Sequence, residues 1–188
     1  MNEIIVGAQP KLLADGEKKI IPSVVGLADD GAILVGEAAR NQYTLYPERT
    51  IKSVKRLMGK DESIVLGDHC YSPQEVSAMI LKRLKQLAEK ELGQPVKKAV
   101  ITVPAYFSDI QRQATREAGE IAGLDVVRMI NEPTAAVLTY EAGNTDPKRV
   151  VVYDLGGGTF DVSVVNLEKD VVEVIASHGN NQLGGDDF

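Results

Sequence analysis

Apolar residues along this chain form either short runs or helical spacings, and the two patterns alternate through most of the sequence. The runs are bounded by turn signals such as Asp29-Asp30-Gly31, which is typical of strands. They predict strands over Asn2–Val6, Ile20–Leu27, Ile33–Val35, Ala99–Val103 and Asp125–Ile130. The stretch after Val6 is expected to be a loop through Pro10, followed by the charged turn Asp15–Lys19.

The helical spacings carry recognisable start and stop signals. Ser72-Pro73-Gln74-Glu75 combines an N-cap serine, a first-turn proline and a glutamate at the third position, and Gly93 ends the apolar face that follows. The other predicted helices are Glu37–Asn41, Pro47–Gly59, a helix capped by Ser108 and Gln111 that runs to Ala122, and one opened by Asn131–Thr134 that ends before Gly143. Strands that alternate with helices in this way predict an α/β layered domain.

The stretch Val150–Val165 differs from the rest because an apolar run ends in Asp154 and three glycines follow. Alternation from Thr159 onwards predicts two antiparallel strands joined by a tight loop, with a third strand over Val171–Ser177. Glycines can take positive φ and let an anion approach backbone N–H groups. A carboxylate beside such a loop suits hydrated Mg²⁺, which prefers oxygen ligands and keeps several waters. The closing segment Leu183–Phe188 is predicted to have no helix or strand of its own.

A plain flexible turn is the alternative interpretation of Gly156–Gly158, since aspartate is itself a common turn residue. The loop is not a Walker A loop, because no Gly-Lys-Ser/Thr follows it. It is not a dinucleotide fingerprint either, because a strand rather than a helix comes next. The residues of the loop alone leave both interpretations open.

The composition of the chain argues against nucleic-acid binding and against membrane association. The net charge of −6 argues against a nucleic-acid partner, which usually meets a basic stripe. No window reaches the ~18 consecutive apolar residues of a membrane helix, so no membrane association is expected. The single cysteine, Cys70, suits a reducing cytoplasm, and with His69 beside it we expect a structural role rather than a metal site.

Two further charged residues have both a structural and a catalytic interpretation. Glu132 follows a strand at the end where α/β sheets bind ligands, yet a first-turn glutamate is also favoured by the helix dipole. Lys55 stands among the basic residues of the helix predicted over Pro47–Gly59, and its charge pattern alone favours a solvated face.

Several separated segments together resemble the seventy-kilodalton heat-shock chaperone family. They are Val54–Gly59, Ile101–Phe107 with Gln111–Thr115, Ile130–Ala136, Asp154–Asp161 and Leu183–Phe188. The likeness covers essentially the whole chain in the family's order. It implies an actin-like ATPase (ribonuclease-H-like) lobe, a mixed sheet flanked by helices and truncated at both ends. Residues 1–148 would be the first lobe without its opening phosphate-loop hairpin, and residues 149–188 the opening strand meander of the second lobe.

The resemblance also implies roles for individual residues. Lys55 would reach the γ-phosphate and the attacking water, and Glu132 would order water around magnesium. Asp154 and Asp161 would organise metal-bound waters and monovalent cations such as K⁺. Gly156, Gly157, Gly158 and Thr159 would form the second phosphate loop for ATP or ADP, with Thr159 counted among the catalytic residues. Pro104 and Arg112 would relay domain coupling, while Arg128, Asn131 and Thr134 would lie in the region where a J-domain co-chaperone and the interdomain linker dock.

Together these implications predict that the chain is a fragment of a chaperone that binds nucleotide weakly with Mg²⁺ and does not hydrolyse it alone. A non-catalytic partner-docking module is the first alternative, and an actin-like or sugar-kinase relative is the second. The family opens with an Asp-x-Gly-Thr-Thr loop that this chain does not contain. We therefore expect the meander from Val150 to dock beside Ala99–Val103, within one chain or in a strand-exchanged homodimer.

Overall fold

The computed structural model describes residues 3–6, 9–140, 148–168 and 171–188, and the chain divides into two units. Unit 1 comprises Met1–Lys98 and Ala114–Asp125, and unit 2 comprises Ala99–Gln113 and Val126–Phe188. The predicted helix end before Gly143 and the predicted turn at Lys169-Asp170 lie outside the described residues. No helix in the described ranges is both long enough and apolar enough to cross a membrane.

Unit 1 is built from short antiparallel pairs and one long helix. Strands β1 and β2 pair, β3 lies between β4 and β5, and β6 pairs with β7. Their bounds are β1 Glu3–Val6, β2 Gln9–Leu12, β3 Val24–Leu27, β4 Ile33–Val35, β5 Thr50–Lys52, β6 Ile64–Leu66 and β7 His69–Tyr71, with helices α1 Glu37–Tyr43 and α2 Pro73–Leu92. The core of unit 1 consists of Val25, Val54, Ile64, Leu66, Val76 and Ile80.

Helix α2 confirms the start and stop signals found in the sequence. The Glu75 N–H donates to the Ser72 hydroxyl over 3.2 Å, and the Ser72 N–H donates to the Glu75 carboxylate over 2.7 Å. Gly93 ends the helix with a φ of 65°, a left-handed conformation that glycine takes without a Cβ penalty. The capping box at Ser108 and Gln111 is confirmed in the same way for helix α3, which spans Asp109–Ile121.

The helix predicted over Pro47–Gly59 is wrong. The segment forms a 3₁₀ turn over Pro47–Arg49, strand β5, and a second 3₁₀ turn over Val54–Leu57. Ser53 interrupts any helix with a φ of 54°, and β5 pairs along β3. Val54 and Met58 are buried in this arrangement too, so an i, i+4 burial pattern arises here without an α-helix.

Three other predicted bounds need correction. The expected loop through Pro10 contains strand β2, whose Pro10 is paired with Ile5. The strand predicted from Ile20 begins only at Val24, and Ile20 is 84% exposed. The closing segment is not without structure, because Gly185–Asp187 forms a 3₁₀ turn.

Unit 2 contains two separate sheets among its described residues. Strand β8, Lys98–Val103, neighbours strand β9, Asp125–Asn131, and α3 connects them in sequence. The second sheet is an antiparallel meander of β10 Lys148–Leu155, β11 Phe160–Glu168 and β12 Val171–Asn180, with β11 in the centre. Helix α4, Glu132–Tyr140, packs on this meander through Val137, which contacts a cluster around Val165 and Leu167.

The expected docking of the meander beside Ala99–Val103 is wrong within one chain. Along the described residues, β10 pairs with β11 from Lys148 to Leu155, and its only sheet neighbour is β11. The physical reason is that α4 covers the apolar face of the meander, so this sheet has a core of its own. Strand exchange between two chains stays a prediction.

Candidate functional site at the glycine hairpin

One face of the meander changes from apolar to polar towards the glycine loop. Residues that are directly opposite in antiparallel strands have side chains on the same face. Val150 is opposite Val165 at the apolar end, while Asp154 is opposite Asp161 at the loop end. Asp161 is in turn opposite Gly179, and Ser163 is opposite Ser177. The end of the hairpin far from the loop is therefore apolar, and the end beside Gly156–Gly158 carries two carboxylates.

Asp161 is the most buried charged residue at this end, with 5% of its surface exposed. Its Oδ1 accepts a hydrogen bond of 2.9 Å from the Ser177 hydroxyl, whose oxygen lies 3.0 Å from that of Ser163. Its Oδ2 is buried and has no hydrogen-bond partner among the described residues. An unpaired buried carboxylate oxygen is costly unless a donor or a cation meets it. This oxygen is suited to water or a cation supplied from outside the chain.

Ser163 and Ser177 were not among the predicted site residues. Both occupy inward positions of strands that are otherwise rich in valine, where an apolar residue would be expected. A polar residue at an inward position of an apolar strand is the sequence signal that would have identified them.

Tyr106 is a second residue that the sequence did not single out. Its ring lies against Gly179, where a Cβ would come within 2.5 Å of the ring and 2.6 Å of the Phe160 carbonyl oxygen. Burial raises the pKa of the Tyr106 phenol, and the charges of Asp161, Glu132 and Asp154 raise it further, while the Thr159 side chain partly offsets the rise. These causes identify Tyr106 as a neighbour of the predicted catalytic residues. Its hydroxyl oxygen is buried, with the Thr159 side chain as a hydrogen-bonding neighbour that lowers the phenol pKa.

The Tyr106→Phe variant is expected to lose less stability than the wild type as the pH rises above 10. The folded pKa of Tyr106 is raised above its ordinary value of 10.0, so the unfolded wild type ionises first. The contribution is fully present below pH 10 and is lost as the pH rises through the folded pKa. Thermal unfolding from pH 8 to 11 measures this, with Tyr153→Phe, an exposed ring of the same unit, as the control. Parallel Tm curves for wild type and Tyr106→Phe would contradict it.

The glycine loop itself differs from the expectation in one respect. The Gly156 N–H donates to the Thr159 carbonyl over 2.9 Å, which closes the turn between β10 and β11. Positive φ is not what requires glycine here, since Gly156, Gly157 and Gly158 all lack it. Close approach of other backbone applies at Gly156, where a Cβ would lie 3.3 Å from the Thr159 carbonyl oxygen. A Cβ on Gly157 would meet only the Asp186 side chain, at an ordinary contact distance of 3.6 Å. Thr159 is buried at the loop exit.

Arg112 contacts Pro104, the other residue predicted to relay coupling, and Asn131, which is predicted to lie in the docking region. Its guanidinium donates to the Asn131 side-chain oxygen over 2.9 Å and to the Pro104 carbonyl over 3.3 Å. It also donates to the carbonyls of Ala105 and Phe107, at 3.1 Å each. Five donors in a rigid fork let one arginine hold several acceptors at once. Arg112 therefore fixes the segment that carries Tyr106 to the end of β9.

The remaining predicted residues occupy different elements. Glu132 and Thr134 are half-buried in the first turn of α4, and Arg128 is exposed on β9. Lys55 lies in unit 1, half-buried in the turn Val54–Leu57 directly after the left-handed Ser53. Its contact with a γ-phosphate stays a prediction from the family resemblance.

Direct metal coordination by a dense side-chain cluster is not seen in the described ranges. Among those residues, no group of three or more His, Cys, Asp or Glu side chains is arranged to hold a metal ion. The predicted role of Asp154 and Asp161 is different, since it runs through metal-bound waters and needs only one or two carboxylates.

The fold and the hairpin define an α/β protein with a glycine turn flanked by paired carboxylates. The sequence profile of the family described as Hsp70 protein matches residues 3–69 and 62–188, and the chain belongs to this family. It is 60% identical over 195 residues to the Chaperone protein DnaK of Thermotoga petrophila and to that of Thermotoga maritima. The matches cover 100% of this chain but only 32% of the length of those relatives.

Proposed function

We propose that this chain is part of the ATP-binding and hydrolysing region of a chaperone and that its glycine hairpin receives the phosphates of Mg²⁺-bound ATP or ADP. The observation that carries the proposal is the pairing of Asp154 with Asp161 across the two strands that Gly156–Gly158 connect. This pairing positions two carboxylates at the same end of the sheet as the loop. Phosphoryl-transfer sites depend chiefly on positioning and on neutralising charge, and a rigid hairpin supplies positioning.

The residues present fit a magnesium ion held through water. Asp154 is exposed beside the loop, and the buried Asp161 has an oxygen without a hydrogen-bond partner in the described ranges. Carboxylate oxygens are the ligands that Mg²⁺ prefers, and the ion retains most of its waters. Bound magnesium would supply positive charge to the phosphate oxygens. The chain would hold those waters in place through Asp154 and Asp161 and keep the Asp161 side chain oriented through Ser177.

The finer assignments rest on the family resemblance. They include an actin-like, ribonuclease-H-like lobe that ends near residue 148, with the second lobe's meander after it. Lys55 would meet the γ-phosphate, Glu132 would order water, and K⁺ would accompany Mg²⁺ near Asp154 and Asp161. A cytoplasmic location belongs to the same proposal and is supported by the single, exposed cysteine Cys70.

Calorimetry with Mg·ADP tests the proposal. We expect weak binding by the wild type and at least a roughly fivefold higher Kd for Asp154→Asn. A charge pair 4 Å apart in water interacts by about 1 kcal/mol, which corresponds to that factor. Glu173→Gln removes the same charge from an exposed position on β12 and should leave the Kd unchanged. No binding by the wild type, or equal binding by both variants, would contradict the proposal.

Partner docking is a second function that one observation favours. The Arg112 network fixes Pro104 and Asn131 next to each other, and Arg128 is exposed on the same strand as Asn131. A charged side chain on a rigid strand is suited to recognising an acidic partner surface. A J-domain co-chaperone is the partner that the family resemblance proposes.

A further inference from the structure

The turn Gly184–Asp187 contacts the glycine loop through its backbone. The Gly185 N–H donates to the Gly156 carbonyl over 2.8 Å, and the Asp186 N–H donates to the Gly157 carbonyl over 2.8 Å. The turn is closed by the Asp187 carboxylate, which accepts from the Gly184 N–H over 2.7 Å. Two consecutive carbonyls of the loop are therefore held on the side that faces this turn.

The direction of these carbonyls determines the direction of the amides that follow them. In a planar trans peptide the N–H of one residue points opposite to the C=O of the residue before it, and the described residues contain no cis peptide bond. The Gly157 and Gly158 N–H groups therefore both point away from the Gly184–Asp187 turn. Successive N–H groups on one side of a loop form the concave arrangement that binds anions.

Gly184 is the residue that permits this contact. A Cβ on Gly184 would lie 2.3 Å from the Gly157 carbonyl oxygen and 2.7 Å from the Gly158 carbonyl carbon, both of which are backbone atoms. Its φ of −166° is extended and open to any residue, so only the space requires glycine. Gly184 is buried, whereas Gly185 and Asp186 are exposed.

We infer that the Gly184–Asp187 turn is a backbone clamp that aims the Gly157 and Gly158 amides at the phosphates of a bound nucleotide. This inference rests on the proposed function for its ligand, a magnesium-bound nucleoside diphosphate or triphosphate. The turn acts as a positioning element: it does not touch the anion, but it fixes the peptide planes of the residues that do.

Gly184→Ala and Gly185→Ala, made separately in the 188-residue chain, form a matched pair. A Cβ on Gly185 comes no closer than 3.7 Å to the loop, which is ordinary contact, so Gly185→Ala keeps the clamp. We expect Gly184→Ala to lose the slow hydrogen exchange of the Gly185 and Asp186 amides and to shift the Gly157 and Gly158 amide resonances. We also expect it to raise the Kd for Mg·ADP about tenfold, the consequence of misplacing two donors of ordinary strength. Gly185→Ala should match the wild type in all three respects.

Asp187→Ala is a second test of the clamp, which is needed if Gly184→Ala does not fold. It removes the hydrogen bond to the Gly184 N–H without adding atoms, so the exchange of the Gly185 and Asp186 amides should accelerate. Unchanged exchange and unchanged Mg·ADP affinity in both Gly184→Ala and Asp187→Ala would overturn the clamp. Absence of Mg·ADP binding by the wild type would overturn the proposed function instead, and the exchange rates would still decide whether the clamp orders the loop.

Discussion

Steady-state ATP hydrolysis by these 188 residues is expected to be at least about 10²-fold slower than hydrolysis by an intact DnaK relative. The chain spans 32% of the length of such relatives and contains no Asp-x-Gly-Thr-Thr loop. A phosphate bound at Gly156–Gly158 would receive donors from one side only, and the loss of one transition-state donor typically costs ~10²–10³ in rate. Closure of lobes or lids excludes water in many phosphotransfer enzymes, and we expect these residues by themselves not to provide it.

The measurement is phosphate release at saturating Mg·ATP, with Lys55→Ala as the control against a contaminating host ATPase. Residual activity that is identical in wild type and Lys55→Ala belongs to a contaminant and is subtracted. Turnover within tenfold of the intact relative, abolished by Lys55→Ala, would show that one hairpin and one lysine are sufficient. Binding without turnover would agree with the proposed function and separate it from a docking module that ignores nucleotide.

Local signals predicted those elements whose ends are fixed by their own residues. The Ser72–Glu75 capping box and Gly93 determine both ends of α2 within the segment itself, and Asp29-Asp30-Gly31 determines the hairpin of β3 and β4. The segment Pro47–Gly59 was mispredicted because pairing of β5 with β3 overrides its helical spacing. That pairing joins residues about 25 positions apart, so no local window contains it.

The candidate site shows the same division between local and distant information. Asp154, the three glycines and Asp161 lie close together in the sequence, so the hairpin that they form can be recognised from the sequence alone. Tyr106 comes to this hairpin from a separate segment, and only the absence of a side chain on Gly179 admits its ring. The contact of Gly184 with Gly157 likewise depends on backbone approach across 27 positions, which the sequence shows only as a glycine pair in a segment predicted to have no helix or strand.

Strand β6 of unit 1 was not predicted from the sequence, yet it contributes side chains to the core of that unit. Strand β6 has only three residues, Ile64–Leu66, and too few alternations for a periodicity to be recognised. Its two ends point inward while Val65 points outward. Leu66 is 1% exposed and belongs to the main core cluster of the unit, together with Val25, Val54 and Val76.

Replacing Leu66 with alanine is therefore expected to lower the free energy of unfolding of unit 1 by about 2–5 kcal/mol, the range for leucine removed from a packed core. The surrounding side chains come from β3, the turn Val54–Leu57 and α2, so the cavity would be lined by three elements that cannot all move inward together. Denaturant unfolding measures the change, with probes in each unit because two units need not unfold in one step.

Val65→Ala is the matched control, since it shortens a neighbouring side chain of the same strand that is 61% exposed. Its effect should stay within about 0.5 kcal/mol, as for surface substitutions in general. Equal destabilisation by Leu66→Ala and Val65→Ala would mean that strand propensity, rather than core packing, makes β6 important. A loss confined to Leu66→Ala, with Mg·ADP binding at the hairpin of unit 2 preserved, would place the effect in the core of unit 1 alone.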